Sequence, residues 1–254
     1  MKYLIFLDID GTLLSCGVHP RTIAAIDQAL AEGHLVFINT GRSMGNVPKH
    51  ALKDVKLTGI VAGLGSYIEM QGEVLFSHPM SLDEVAHVLS FARRYQIGVL
   101  LEGEEMLANY LPEYFNPHWL SPRPEVLDEH DLRHRYSDLR VSKISFTSPL
   151  PEEAEIALKQ DFAIINHPTY AEVGIKGLSK ATAMDFLKKR FSIADDHVIA
   201  MGDSLNDIEM LQAAGIAVVM GDGHDSVKPL ADFISIAARD GGVGQALEEL
   251  VLNY

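Results

Sequence analysis

Apolar and polar positions alternate along this chain in two distinct rhythms. Tyr3 to Leu7 and Leu35 to Ile38 are short, nearly unbroken apolar runs, the pattern of strands buried on both faces of a parallel sheet. Between them Ile23, Ile26 and Leu30 recur at helical spacing, with Pro20 at a first helical position and Gly33 as a stop. The segment therefore predicts strand, helix, strand. The C-terminal part repeats this rhythm: a helix from Ser179 to Phe191, a strand from Val198 to Met201, and a helix ending at Ala214 before Gly215. A strand from Ile216 to Met220, another from Phe233 to Ile236, and a final helix from Val243 complete it. Such alternation predicts a doubly wound α/β sheet.

The middle of the chain reads differently. Ser81-Leu82-Asp83-Glu84 is a capping-box pattern that opens a helix to Tyr95. Short strand-like runs follow at Val99 to Leu101, Ile144 to Thr147, Ala163 to Ile165 and Ala171 to Val173, interleaved with Pro112, Pro117, Pro122 and Pro124. We expect an α+β domain at residues 81–171, inserted into a core made of residues 1–80 and 172–254.

Composition narrows the function. At 254 residues with 47% hydrophobic side chains, the chain can bury a substantial core. Its formal charge of -14 repels nucleic acid and anionic lipid, so any phosphate-bearing substrate must be held by local cations or a metal. The first apolar run is stopped by Asp8 before reaching signal length, and no later run approaches the roughly 20 residues of a membrane span. Cytoplasmic residence is the expectation. The single cysteine, Cys16, allows neither an intrachain disulfide nor a cysteine zinc cage.

Four polar clusters fall at the carboxyl ends of strands or at helix starts, where α/β sheets bind ligands. In Asp8-Ile9-Asp10-Gly11-Thr12-Leu13, two carboxylates stand two residues apart at the mouth of a buried strand. They repel unless a cation or a proton compensates, and Mg²⁺ suits that need; the alternative is a solvated Asp-Gly turn. Asn39-Thr40-Gly41-Arg42 offers a hydroxyl and free amides at an expected helix start, as an anion site or as a plain cap. Lys180 follows Ser179 at the start of a helix, where a lone lysine is commonly a solvated side chain. Gly202-Asp203-Ser204-Leu205-Asn206-Asp207 follows another buried strand and can complete a metal site or merely cap a helix.

In order, Asp8-x-Asp10-Gly-Thr-Leu, Thr40-Gly41-Arg42, Lys180 and Gly202-Asp203-x-x-Asn206-Asp207 resemble the four motifs of the haloacid dehalogenase superfamily. The insertion between the second and third motifs resembles the Cof-type subfamily with a type IIB cap. Two positions depart from many relatives: Ala62-Gly63-Leu64-Gly65 replaces an Asn-Gly pair after the third strand, and Ala181 replaces a glycine after the motif lysine.

The resemblance implies a Rossmann-like core and a Mg²⁺-dependent phosphatase acting on small phosphate monoesters such as sugar phosphates, through an aspartyl-phosphate. It implies Asp8 as nucleophile, Asp10 as acid and base, and Thr40, Gly41, Lys180 and Asn206 as phosphate-binding groups. Asp8, Asp10 and Asp203 would hold the metal, the Asp10 contribution coming from its backbone carbonyl, with Asp207 behind them. Within the insertion, Glu102, Asn109, Tyr110, Tyr114, His118, Trp119, Arg140 and Lys143 are candidates for contacting the leaving group or for building the cap itself. The rival readings are a phosphomutase or phosphotransferase of the same superfamily, a phospho-accepting signalling module and a non-catalytic sugar-phosphate sensor. The expected partner is a small phosphorylated molecule rather than nucleic acid or membrane; the physiological substrate, the cap contacts, any role for Cys16, and monomer against homodimer stay open.

Overall fold

The structure is a computed structural model, describing residues 2–252. Its elements in chain order begin with β1 (Leu4–Leu7), α1 (Pro20–Ala31), β2 (Leu35–Asn39), β3 (Gly59–Ala62), β4 (Tyr67–Met70) and β5 (Glu73–Ser77). Then come α2 (Leu82–Tyr95), β6 (Val99–Gly103), β7 (Leu107–Tyr110), α3 (Glu129–His134), β8 (Val141–Phe146), α4 (Glu152–Leu158), β9 (Phe162–Asn166) and β10 (Ala171–Ile175). The chain ends with α5 (Lys180–Phe191), β11 (Val198–Gly202), α6 (Ile208–Ala213), β12 (Ile216–Val219), β13 (Phe233–Ile234) and α7 (Gly242–Leu247).

Two compact units result. One consists of residues up to Gly41, Pro48–Leu75 and the chain from Ser179 on; the other of Arg42–Val47 and Phe76–Leu178. The first carries a sheet of order β13-β12-β11-β1-β2-β3-β4-β5, parallel from β13 to β3 and antiparallel from β3 to β4. All four residues of β1 and all five of β2 are buried. This is why their sequences are apolar without alternation: a central strand has no solvent face. The order places the ends of β1, β2 and β11 side by side, with Asp8, Thr40 and Asp203 immediately after or within two residues of them.

The second unit is a five-stranded antiparallel sheet of order β7-β6-β8-β10-β9. Val85, Val88, Leu89 and Ala92 of α2 pack on Val99, Leu101, Val141, Ile144, Phe146, Ala171 and Val173, one face of that sheet. The α+β reading of the insertion therefore describes this unit. Its bounds differ from the expected 81–171, because β10 is hydrogen-bonded between β8 and β9 and the sheet is incomplete without residues 172–175.

Two other expectations are corrected. No α-helix follows Arg42; a single 3₁₀ turn, Met44–Asn46, stands there, with Gly45 inside it and Pro48 two residues after its end. The strand expected over 233–236 ends earlier, at Ile234; the Ser235 amide still donates to the Val219 carbonyl, and beyond it the Ile236 amide donates to the Gln245 side chain.

Candidate active site

Asp8 leaves β1 with its amide still donating to the Met201 carbonyl, at 3.0 Å, so the strand geometry fixes it. The chain then turns tightly, with Leu13 and Leu14 amides returning to the Asp8 and Ile9 carbonyls. Gly11 sits in that turn at φ +81°, and a β-carbon there would overlap the Asp203 carboxylate. Glycine is needed on both counts, for the positive φ and for the close approach. Thr12 Oγ1 donates to Asp203 Oδ1 at 2.9 Å, orienting the acid that β11 delivers from the neighbouring strand.

Lys180 is the first residue of α5, whose start is fixed by a capping box between Ser179 and Thr182. Its buried ammonium donates to Asp8 Oδ1 at 2.6 Å and to Asp207 Oδ1 at 2.7 Å. The other Asp207 oxygen accepts the backbone amides of Asp203 and Ser204, each at 3.0 Å. Asp207 therefore ties the lysine to the loop carrying Asp203. Gly202 makes room for it, since a β-carbon there would meet the Asp207 side chain.

Charge is out of balance in this cluster. Asp8, Asp203 and Asp207 bring carboxylate oxygens within 4.8 Å of one another, with Lys180 the cation bonded among them. Burial pushes the Asp8 carboxyl up to about 7 against the pull of Lys180, and Asp207 adds repulsion. Burial also raises Asp203, to about 6, against the Thr12 hydrogen bond. Although burial opposes it, the two flanking aspartates hold Lys180 protonated. Asp8 and Asp203 are left short of positive charge, the condition a hard divalent cation satisfies, so they fit Mg²⁺, while Asp207 has both oxygens bonded already and stands behind them.

The remaining expected residues divide. Thr40 is buried at the end of β2, its amide donating to the Val61 carbonyl. The Asn206 amide nitrogen lies beside Gly41, and its Oδ1 accepts from Ser204 Oγ at 2.9 Å. The Asp10 side chain is exposed and stands outside the carboxylate cluster. Cys16 is exposed too. Sequence reading missed the Thr12–Asp203 bond and the bond from Asn39 Nδ2 to the Lys180 carbonyl, at 3.1 Å. An asparagine ending an otherwise apolar strand was the available signal for the second.

Within the inserted unit, Lys143 is buried between Glu102 and Glu172, at 3.1 and 2.6 Å. Glu102 also accepts from Ser145 Oγ at 2.6 Å and from Asn46 Nδ2 at 3.1 Å. Tyr110 belongs to this unit's hydrophobic core, and Arg140 pairs with Glu104 at 2.7 Å.

Residues 5–247 match the model of the haloacid dehalogenase-like hydrolase family. The chain is 29% identical to the 5-amino-6-(5-phospho-D-ribitylamino)uracil phosphatase YcsE of Bacillus subtilis, over 98% of this chain and 96% of that one. It is 27% identical over 98% of its length to a longer Streptococcus pyogenes protein named as a bifunctional phosphatase and peptidyl-prolyl cis-trans isomerase, of which it spans 54%. The subclass IIB sugar phosphatase BT4131 superposes with a TM-score of 0.81 at 25% identity, covering 97% of this chain and 98% of that one. No helix among the described residues is long and apolar enough to cross a membrane.

Proposed function

From the chain's membership of the haloacid dehalogenase-like hydrolase family, we propose that it is a phosphatase of small phosphate monoesters, with Asp8 as its nucleophile. One observation carries the assignment of Asp8: a buried carboxylate at a strand end, bonded to a buried lysine and facing a second acid from the adjacent strand. The named activities of YcsE and of BT4131 support sugar and polyol phosphates as the substrate class.

A carboxylate and a phosphate dianion repel, so charge neutralisation and alignment must do most of the catalytic work. Asp8, Asp203 and the Asp10 carbonyl would hold Mg²⁺, which when bound would supply a Lewis acid that offsets the negative charge of the site. Lys180 stabilises the phosphoryl charge that builds during transfer, while Asp207 and the Thr12 hydroxyl keep Lys180 and Asp203 in place. Thr40, the Gly41 amide and Asn206 orient the phosphoryl oxygens.

An Asp8 oxygen forms the new bond to phosphorus as the ester P–O bond breaks, and Asp10 gives its proton to the leaving alkoxide. Asp10, now a carboxylate, takes a proton from water; that water attacks phosphorus, the bond to Asp8 breaks, and phosphate leaves. The exposure of Asp10 suits a group that exchanges protons with substrate and water in turn. We assign the unit that carries Asp8, Lys180 and Asp203 to this catalytic role, give substrate choice to the inserted unit, and place the protein in the cytoplasm.

Phosphate release from a panel of sugar, polyol and aryl phosphates, with Mg²⁺ and with chelator, tests the proposal. Stoichiometric release with substrate loss supports hydrolysis. Recovery of the phosphoryl group on a second substrate molecule would establish a mutase or transferase, and a phosphoenzyme persisting for minutes would establish a signalling module.

A further inference from the structure

Asn39 and Phe37 lie two residues apart on β2 and so project to the same face of the sheet. Each meets one end of α5. The Phe37 ring packs against Phe191, the last residue of that helix, with centroids 6.2 Å apart. Asn39 Nδ2 donates to the carbonyl of Lys180, the first residue, at 3.1 Å. The register that pairs Leu7 with Ile38 leaves Asp8 and Asn39 as the next residues on adjacent strands. A contact at the carboxyl end of β2 therefore touches the helix at the residue whose ammonium reaches Asp8.

Stability does not account for this asparagine. It is completely buried, and its Oδ1 has no hydrogen-bond partner among the described residues. An unmade buried acceptor costs more than one amide-to-carbonyl bond returns, and a leucine of similar size would fill the site without that cost. What the amide does supply is a directional tie that an apolar side chain lacks. Packing of Phe37 on Phe191 leaves a helix free to slide or rotate slightly, whereas a hydrogen bond to the first-turn carbonyl fixes where that turn sits.

We infer that Asn39 is a positioning residue for catalysis, acting through Lys180. By holding the Lys180 carbonyl it fixes the first turn of α5 and keeps the ammonium at bonding distance from both Asp8 and Asp207. The inference rests on the proposed function only in that Lys180 serves phosphoryl transfer.

The test compares Asn39→Leu, Phe37→Leu and Lys180→Gln with wild type on an aryl phosphate with saturating Mg²⁺, below the melting transition of every variant. Misplacing a catalytic group by about 1 Å costs on the order of 10²-fold in rate. Asn39→Leu is expected to lower kcat by about 10- to 100-fold, to leave KM within about threefold, and to melt no lower than wild type. Phe37→Leu is expected to melt lower while keeping kcat within about twofold. If Asn39→Leu does not fold, Asn39→Ala is measured in the same way. Wild-type kcat in the folded Asn39 variant, or an equal kcat loss in Phe37→Leu, overturns the inference while a loss in Lys180→Gln leaves the role of Lys180 standing. Full activity in Lys180→Gln overturns both.

Discussion

Lys180 Nζ lies 2.6 Å from Asp8 Oδ1, although 172 positions separate the two residues in the chain. The same ammonium also serves Asp207, so one positive charge stands among three clustered carboxylates. That imbalance governs how the site responds to mutation, pH and metal.

Asp8→Asn is expected to abolish turnover, with kcat for an aryl phosphate falling on the order of 10⁴-fold or more, as loss of a nucleophile does elsewhere. Because it also removes one of the poorly compensated buried charges, the variant should melt no lower than wild type in chelator. A fall in melting temperature would mean that Asp8 is chiefly a structural partner of Lys180.

The pH dependence of metal binding has a definite sign. Asp8 and Asp203 carry folded-state values of about 7 and 6 against an ordinary 3.8. The metal-free folded state therefore holds protons that the unfolded chain has lost, and these groups' contribution to stability is lost as pH rises from about 4 through 7. Mg²⁺ competes with those protons, so its stabilising effect should grow over the same range. The Mg²⁺-induced rise in Tm at pH 8 should exceed that at pH 5.5 by about 3 °C, equivalent to about 1 kcal/mol. Thermal scans with and without chelator at the two values measure it.

Gly11→Ala should damage the site from outside its charged groups. The positive φ alone costs roughly 1–2 kcal/mol for a residue with a β-carbon. The new methyl must also displace the Asp203 carboxylate from Thr12. We expect kcat/KM to fall about tenfold or more, and the Mg²⁺ concentration for half-maximal activity to rise. An unchanged Mg²⁺ requirement would show that Asp203 does not serve the metal.

In the inserted unit, Lys143→Met leaves Glu102 and Glu172 buried without their cation and should destabilise by about 3–5 kcal/mol. Burial pushes the Glu172 carboxyl up, but Lys143 and His167 hold it at about 2, against an ordinary 4.5. Its contribution is thus complete above pH 4.5 and lost as pH falls from 4.5 to 2. Acid unfolding followed by circular dichroism should be less steep over that window in Glu172→Gln than in wild type.

Much of the fold was legible because a central parallel strand announces itself. Leu4 to Leu7 and Leu35 to Ile38 are buried on both sides, and an unbroken apolar run follows from that. Caps were equally local: Ser81 and Ser179 each bond within three residues, so their helix starts stood in the sequence. β13 failed for the opposite reason. The chain beyond it is held by a contact made elsewhere in the sequence: Gln245, nine residues beyond Ile236, takes the Ile236 amide.

The chemistry shows the same division. Taken by itself, the sequence named the candidate residues, because the motifs are short-range patterns in which each acid, amide or lysine keeps its identity and order. Only the tertiary structure decided what those residues face. Lys180 read alone was a solvated lysine; folding brings the start of α5, which leads into β11, to the end of β1 and turns it into a buried cation between Asp8 and Asp207. Thr12 and Asn39 gained partners 191 and 141 residues away in the same manner. Hydrogen bonds and desolvation depend on distances between strand ends, and those distances exist only once the sheet has brought the ends together.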